Sequence, residues 1–157
     1  MILSSDALEQ IQTEIAKYPH GRAQAAVMAA LRIAQDESGW VSDEVMNAIA
    51  GLLDIESIKV AEVATFYTMY DLEPPGRHKI NVCTNISCAL RGSASIVDHL
   101  TEKLGIGLGE TTPDGRYTLK EVECLAACGG APAALINRDY CENLTPQRID
   151  EILEALE

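Results

Sequence analysis

Cysteine is the residue type here that could do chemistry, and its placing is uneven. The chain has 157 residues and five cysteines. Four of them form two short pairs, Cys83-Thr-Asn-Ile-Ser-Cys88 and Cys124-Leu-Ala-Ala-Cys128. Each spacing lets two thiolates converge on one centre from a loop. Two such pairs, brought together by a fold, can hold a metal ion, hold an iron–sulfur cluster or close disulfides. Structural zinc sites favour tight pairs with two residues between the cysteines. Intervals of four and three are looser and suit a larger object. A [2Fe–2S] cluster takes four thiolates, two per iron, so spacing favours the cluster over zinc, with disulfides third. Exchange chemistry of the thioredoxin kind needs C-x-x-C at a helix start, which neither pair offers. A Rieske centre needs two histidines, and His20, His78 and His99 lie outside both pairs. Gly129 and Gly130 follow Cys128 and would let backbone N–H groups approach sulfur; an ordinary loop needing positive φ would use them too. Cys141 stands apart and reads as a buried or spare thiol.

The pairs need strands to carry them. His78 to Cys83 is strand-like, with Ile80 and Val82 on one face, and Tyr117 to Glu123 is a second strand. If these are neighbours in a sheet, Cys83 and Cys124 leave the same end, and the site lies at a sheet edge under loops. Between them, Gly92 to Leu104 has the helical spacing of Ile96, Val97, Leu100 and Leu104, closed by Gly105. Ala133 to Asn137 and Tyr140 to Asn143 read as a hairpin around Arg138-Asp139. Thr145 then caps a last helix that has Pro146 in its first turn. The order β-α-β-β-β-α is that of a small thioredoxin-like α/β sandwich.

Upstream the pattern is helical throughout. Helices are predicted from Asp6 to Tyr18 with Asp6 as cap, from about Arg22 to Gln35, after Ser42, and from about Ser57 to Tyr67. Trp40 is expected to plug the gap between helices. Asp71-Leu-Glu-Pro-Pro-Gly-Arg77 is strong punctuation. The expected architecture is therefore α+β: an N-terminal helical bundle, residues 1–74, followed by a thioredoxin-like α/β domain, residues 75–157.

Composition narrows the function classes. The net charge is −12, spread evenly over both halves, and such a surface repels phosphate backbones and anionic lipid. No nucleic-acid partner is expected. No secretory leader is visible, and no apolar run approaches the ~20 residues of a membrane span. An intracellular location is the expectation, and in a reducing compartment closely spaced cysteines point to metal or redox chemistry. No G-x-G-x-x-G follows a strand and no Walker A motif occurs.

The chain resembles the thioredoxin-like [2Fe–2S] ferredoxin subunit of respiratory complex I, the small subunit of the NADH dehydrogenase module. The matching stretches are Glu62-Val-Ala-Thr-Phe-Tyr-Thr-Met-Tyr70, Val82-Cys-Thr-Asn-Ile-Ser-Cys88, Gly109-Glu-Thr-Thr-Pro-Asp-Gly115 and Glu123-Cys-Leu-Ala-Ala-Cys128, with Ala131-Pro132 after them. The resemblance implies that Cys83, Cys88, Cys124 and Cys128 hold one [2Fe–2S] cluster. It implies a partner subunit that binds NADH and FMN, a cytoplasmic location peripheral to the inner membrane, and no complete active site in this chain alone. The same module serves NAD-linked hydrogenases and formate dehydrogenases. A zinc-stabilised adaptor is the reading from a different class. The family pattern has glycine where Ala126 stands, so a left-handed backbone there would leave this loop strained or altered. Fold analogy also suggests a cis bond before Pro132.

Overall fold

The computed structural model describes residues 2–156. The chain divides into two compact units, Met1–Pro74 and Pro75–Glu157.

The first unit is helical: α1 (Ser5–Ile15), a 3-10 turn at Ala23–Ala26, α2 (Val27–Ser38), α3 (Asp43–Leu53) and α4 (Ser57–Phe66). Ile11, Leu31, Ile49 and Val60 are buried in one core. The first helix begins earlier than its acidic residue suggests, because the Ser4 hydroxyl, not Asp6, accepts the Ala7 N–H. Asp6 sits inside the first turn, where the helix dipole favours it. The stretch from Arg22 opens as 3-10 before becoming α-helical. Trp40 is only half-buried, and Val41 beside it fills the core. After α4, the Gln35 side chain clamps the chain from both sides: its amide NH₂ donates to the Met69 carbonyl at 3.0 Å, and its oxygen accepts the Asp71 N–H at 2.6 Å. The Tyr70 hydroxyl donates to the Met28 carbonyl.

The second unit is a four-stranded sheet with helices on one face. Its elements are β1 (His78–Cys83), α5 (Ile86–Leu90), α6 (Ser93–Leu104), β2 (Tyr117–Val122), β3 (Ala134–Ile136), β4 (Asp139–Cys141) and α7 (Pro146–Ala155). The strand order is β2-β1-β3-β4. β1 and β2 are parallel, with Cys83 opposite Val122; β1–β3 and β3–β4 are antiparallel. Parallel neighbours need a crossover, and α5 and α6 provide it. Ile80, Val82, Leu119, Ala134 and Ile136 from the sheet pack with Ile96 and Leu100 of α6 and Ile149 and Leu153 of α7. Alternation fixes this register: a one-residue slip would turn Ile80 and Val82 away from the helices. Gly105 ends α6 in the left-handed region, and the Thr145 hydroxyl caps α7. The hairpin turns one residue earlier than its charged tip suggests, at Asn137-Arg138, with Asn137 at φ 55°.

Candidate metal centre

Both cysteine pairs emerge from the C-terminal ends of adjacent strands. Cys83 is the last residue of β1, and Cys124 follows β2 closely. The ladder continues past them: Cys83 N–H donates to the Ala133 carbonyl at 3.0 Å, and Thr84 N–H to the Val122 carbonyl at 3.2 Å. Asn85 then turns the chain into α5 by accepting the Ile86 N–H on its side chain. This short helix points Cys88 inward. Cys83 and Cys88 are buried with Ala131 and Ala133, and Val122, Leu125 and Ala127 pack around them. The outer face of α5 is apolar and open, with Ile86 73% and Leu90 82% exposed.

The second pair sits differently. Cys124 and Cys128 are both exposed. Cys128 opens a single 3-10 turn, Cys128–Gly130. That turn is held from below, since the Asn143 N–H donates to the Gly130 carbonyl at 2.6 Å and the Leu144 N–H to the Pro132 carbonyl at 3.1 Å. The Ala131–Pro132 bond is cis. Arg91 reaches the Ala131 carbonyl with its Nε at 3.4 Å, joining the end of α5 to the same loop. Ala126 has φ 56°, in the left-handed region, so the loop does adopt the backbone that alanine resists.

A backbone N–H is directed at the outer pair. The Ala126 N–H donates to Cys124 Sγ at 3.3 Å. Burial acts to raise the Cys83 thiol, but N–H groups of Asn85 and Leu125 and a hydrogen bond with Cys88 hold it below the ordinary thiol range. Cys88 is pushed up, first by burial and then by its bond with Cys83. The Ala133 N–H opposes this, and the charges of Cys83 and Cys128 add to it. Cys141, on β4, is half-buried and raised mainly by burial; its thiol bonds the nearby Asp139 carbonyl, at 3.8 Å. Among the described residues, no three Cys, His, Asp or Glu side chains gather around a single point as for one ion. The thiols stand instead as a facing pair, Cys83 and Cys88, with Cys128 in electrostatic reach of Cys88.

The donor chemistry fits an iron–sulfur cluster. Its four thiols are offered in pairs, and N–H groups wait on sulfur, as such clusters require. What the spacing did not reveal is α5 and the roles of Arg91, Leu125 and Ala133. The one available signal was Asn85, a good N-cap residue two positions after Cys83.

Comparison with known proteins agrees. The model of the family described as thioredoxin-like [2Fe–2S] ferredoxin matches residues 11–157. A subunit of the NADH-quinone oxidoreductase of Rhizobium meliloti (strain 1021) is 46% identical over 147 residues, covering 94% of this chain and 86% of the relative. NADH-quinone oxidoreductase subunit 2 of Thermus thermophilus is 40% identical over 152 residues, covering 96% and 84%. Among solved structures, an NAD+-reducing [NiFe]-hydrogenase in the air-oxidized state superposes with a TM-score of 0.72 at 26% identity, over 83% of this chain and 22% of that one. Sequence motifs, sheet and relatives converge: the chain belongs to the thioredoxin-like [2Fe–2S] ferredoxin family.

Proposed function

We propose that this chain is the electron-transfer subunit of an NADH-quinone oxidoreductase and that Cys83, Cys88, Cys124 and Cys128 hold its single [2Fe–2S] cluster. The observation that carries the reading is the delivery of both cysteine pairs to one end of two adjacent parallel strands, with a backbone N–H on the Cys124 sulfur. A bound cluster supplies one-electron uptake and release. The chain's own residues do the rest. The sheet fixes Cys83, α5 turns Cys88 inward, and the 124–128 loop brings the second pair over them. The buried alanines Ala131 and Ala133 keep water from the inner sulfurs.

The partner is a flavin-bearing subunit that oxidises NADH, with FMN and NADH bound there; this chain has neither nucleotide motif. Its relatives are named as subunits of NADH-quinone oxidoreductase. No helix among the described residues is long and apolar enough to cross a membrane; the proposed place is cytoplasmic and peripheral, reached through the complex. The likeness to the NAD+-reducing hydrogenase supports a second reading, the same electron-relay part in a hydrogenase or formate dehydrogenase. Residues 1–74 and 75–157 are read as two domains, the first a helical bundle that binds the partner. Deleting residues 1–70 should weaken association with the flavin subunit, and unchanged affinity would end that part of the proposal.

Anaerobic purification with iron and acid-labile sulfide analysis tests the core claim. About two of each per chain and an EPR signal that develops only on reduction are expected. One zinc per colourless chain would instead favour a zinc-stabilised adaptor.

A further inference from the structure

Among the described residues, four that are not glycine have positive φ: Asp54, Ala126, Asn137 and Asn143. Three are asparagine or aspartate, whose side chains bond locally and reach this region readily. Ala126 has no such help, and its left-handed backbone carries a population cost of roughly tenfold. Something must offset it. The Ala126 N–H donates to Cys124 Sγ at 3.3 Å. The preceding residue, Leu125, packs against the buried cluster of Cys83 and Cys88. Two neighbouring residues thus touch one cysteine pair each.

We infer that Ala126 is a positioning residue: its left-handed backbone holds its own N–H on Cys124 while Leu125 packs against Cys83 and Cys88, fastening the exposed pair to the buried one. This rests on the four-cysteine cluster reading proposed above. Hydrogen bonds to ligand sulfur favour the more negative, reduced cluster and raise its potential. Withdrawal of this N–H lowers the potential and loosens the cluster while all four ligands remain.

The full-length chain is reconstituted with iron and sulfide as wild type, A126G, A126N and A126V. The midpoint potential is read by EPR-monitored titration, and cluster release to a chelator by absorbance. Glycine and asparagine accept φ near 56°; β-branched valine does not. The wild-type potential is expected in A126G and A126N. In A126V the potential falls and release is roughly several-fold faster, the added penalty of a β-branched side chain over the alanine already there. Wild-type potential and release in A126V would overturn the inference. So would an A126N potential lowered as in A126V, because side-chain bulk rather than φ would then be at work. If A126V takes up no cluster or does not fold, A126N against A126G decides: equal potentials and release support the inference, and an A126N potential below that of A126G overturns it. A wild-type chain that binds no iron defeats the cluster reading itself, and this inference with it, whatever the order among the variants.

Discussion

The two cysteine pairs leave the same end of neighbouring strands, yet Cys83 and Cys88 are walled in while Cys124 and Cys128 face solvent. The inner pair is built from regular structure: the last residue of a strand, an N-capped helix and a cover of buried alanines. The outer pair is built from a loop with one left-handed alanine, one turn of 3-10 helix and a cis proline after it. The difference teaches how a small sheet would present the proposed cluster. One half is fixed by the fold and shields the inner sulfurs; the other half is a loop that leaves its two thiols at the surface. Electron transfer to a partner needs such proximity, and tight retention of a cluster needs the fixed half.

Serine replacements test that division most severely. C83S and C88S should abolish cluster assembly, because each leaves a hydroxyl where a buried thiolate is needed. C124S and C128S should retain a fraction of the iron in a labile form, since solvent or a neighbouring oxygen can approach that side. C141S should change neither iron nor sulfide content. Equal losses at all four positions would erase the distinction between fixed and closing halves, and iron loss in C141S would overturn the ligand set. In the metal-free chain, alkylation should mark Cys124 and Cys128 well before Cys83 and Cys88, as exposure governs thiol access.

Next in size are changes to what lies beneath the pairs. Leu100 of α6 is fully buried against the sheet, and L100A should cost about 2–5 kcal/mol, read as a lowered denaturation midpoint. The fixed half depends on this packing, so the inner thiols should become alkylatable in parallel. Gly130 bears on the closing half. A Cβ there would meet the Glu142 side chain at its root as well as its carboxylate. G130A should therefore cost about 1–3 kcal/mol by overpacking, and E142A in the same chain should recover part of it. A neutral G130A would mean that the 128–132 loop moves freely, and the contrast between the halves would then be larger than drawn.

Why one half is easier to read than the other follows from its chemistry. β1 shows in the alternation of Ile80 and Val82, and α7 shows in Thr145-Pro146 and its apolar spacing, because local propensity and burial agree there. Those signals place both pairs at a sheet edge. α5 is hidden in the sequence, since a helix this short around Cys88 carries no periodicity to detect. The start of α1 is ambiguous because Ser4 and Asp6 are both acceptable caps and only geometry chooses between them. In the outer loop, the Ala126 N–H is a backbone donor to sulfur, which no side-chain pattern announces. The alanine at 126 is the one visible mark, and φ 56° gives it meaning.

The smallest effect belongs to the brace behind the fixed half. α6 follows directly from the helix that carries Cys88, and Asp150 of α7 ties it down, accepting from His99 Nε2 at 2.8 Å and Lys103 Nζ at 2.6 Å. The bond from Lys103, and then that from His99, hold the Asp150 carboxyl below the ordinary carboxylate range. A depressed carboxyl stabilises the fold while it is ionised. Its contribution is complete above the unfolded value of about 4 and fades as pH falls through the lower folded value. D150N should therefore lower the urea midpoint slightly at neutral pH, and the gap from wild type should close under more acidic conditions. The site is exposed, so added salt should shrink the gap as well. A gap that persists in acid and in high salt would mean that Asp150 acts through shape rather than charge, and the inner pair's support would then rest on packing alone.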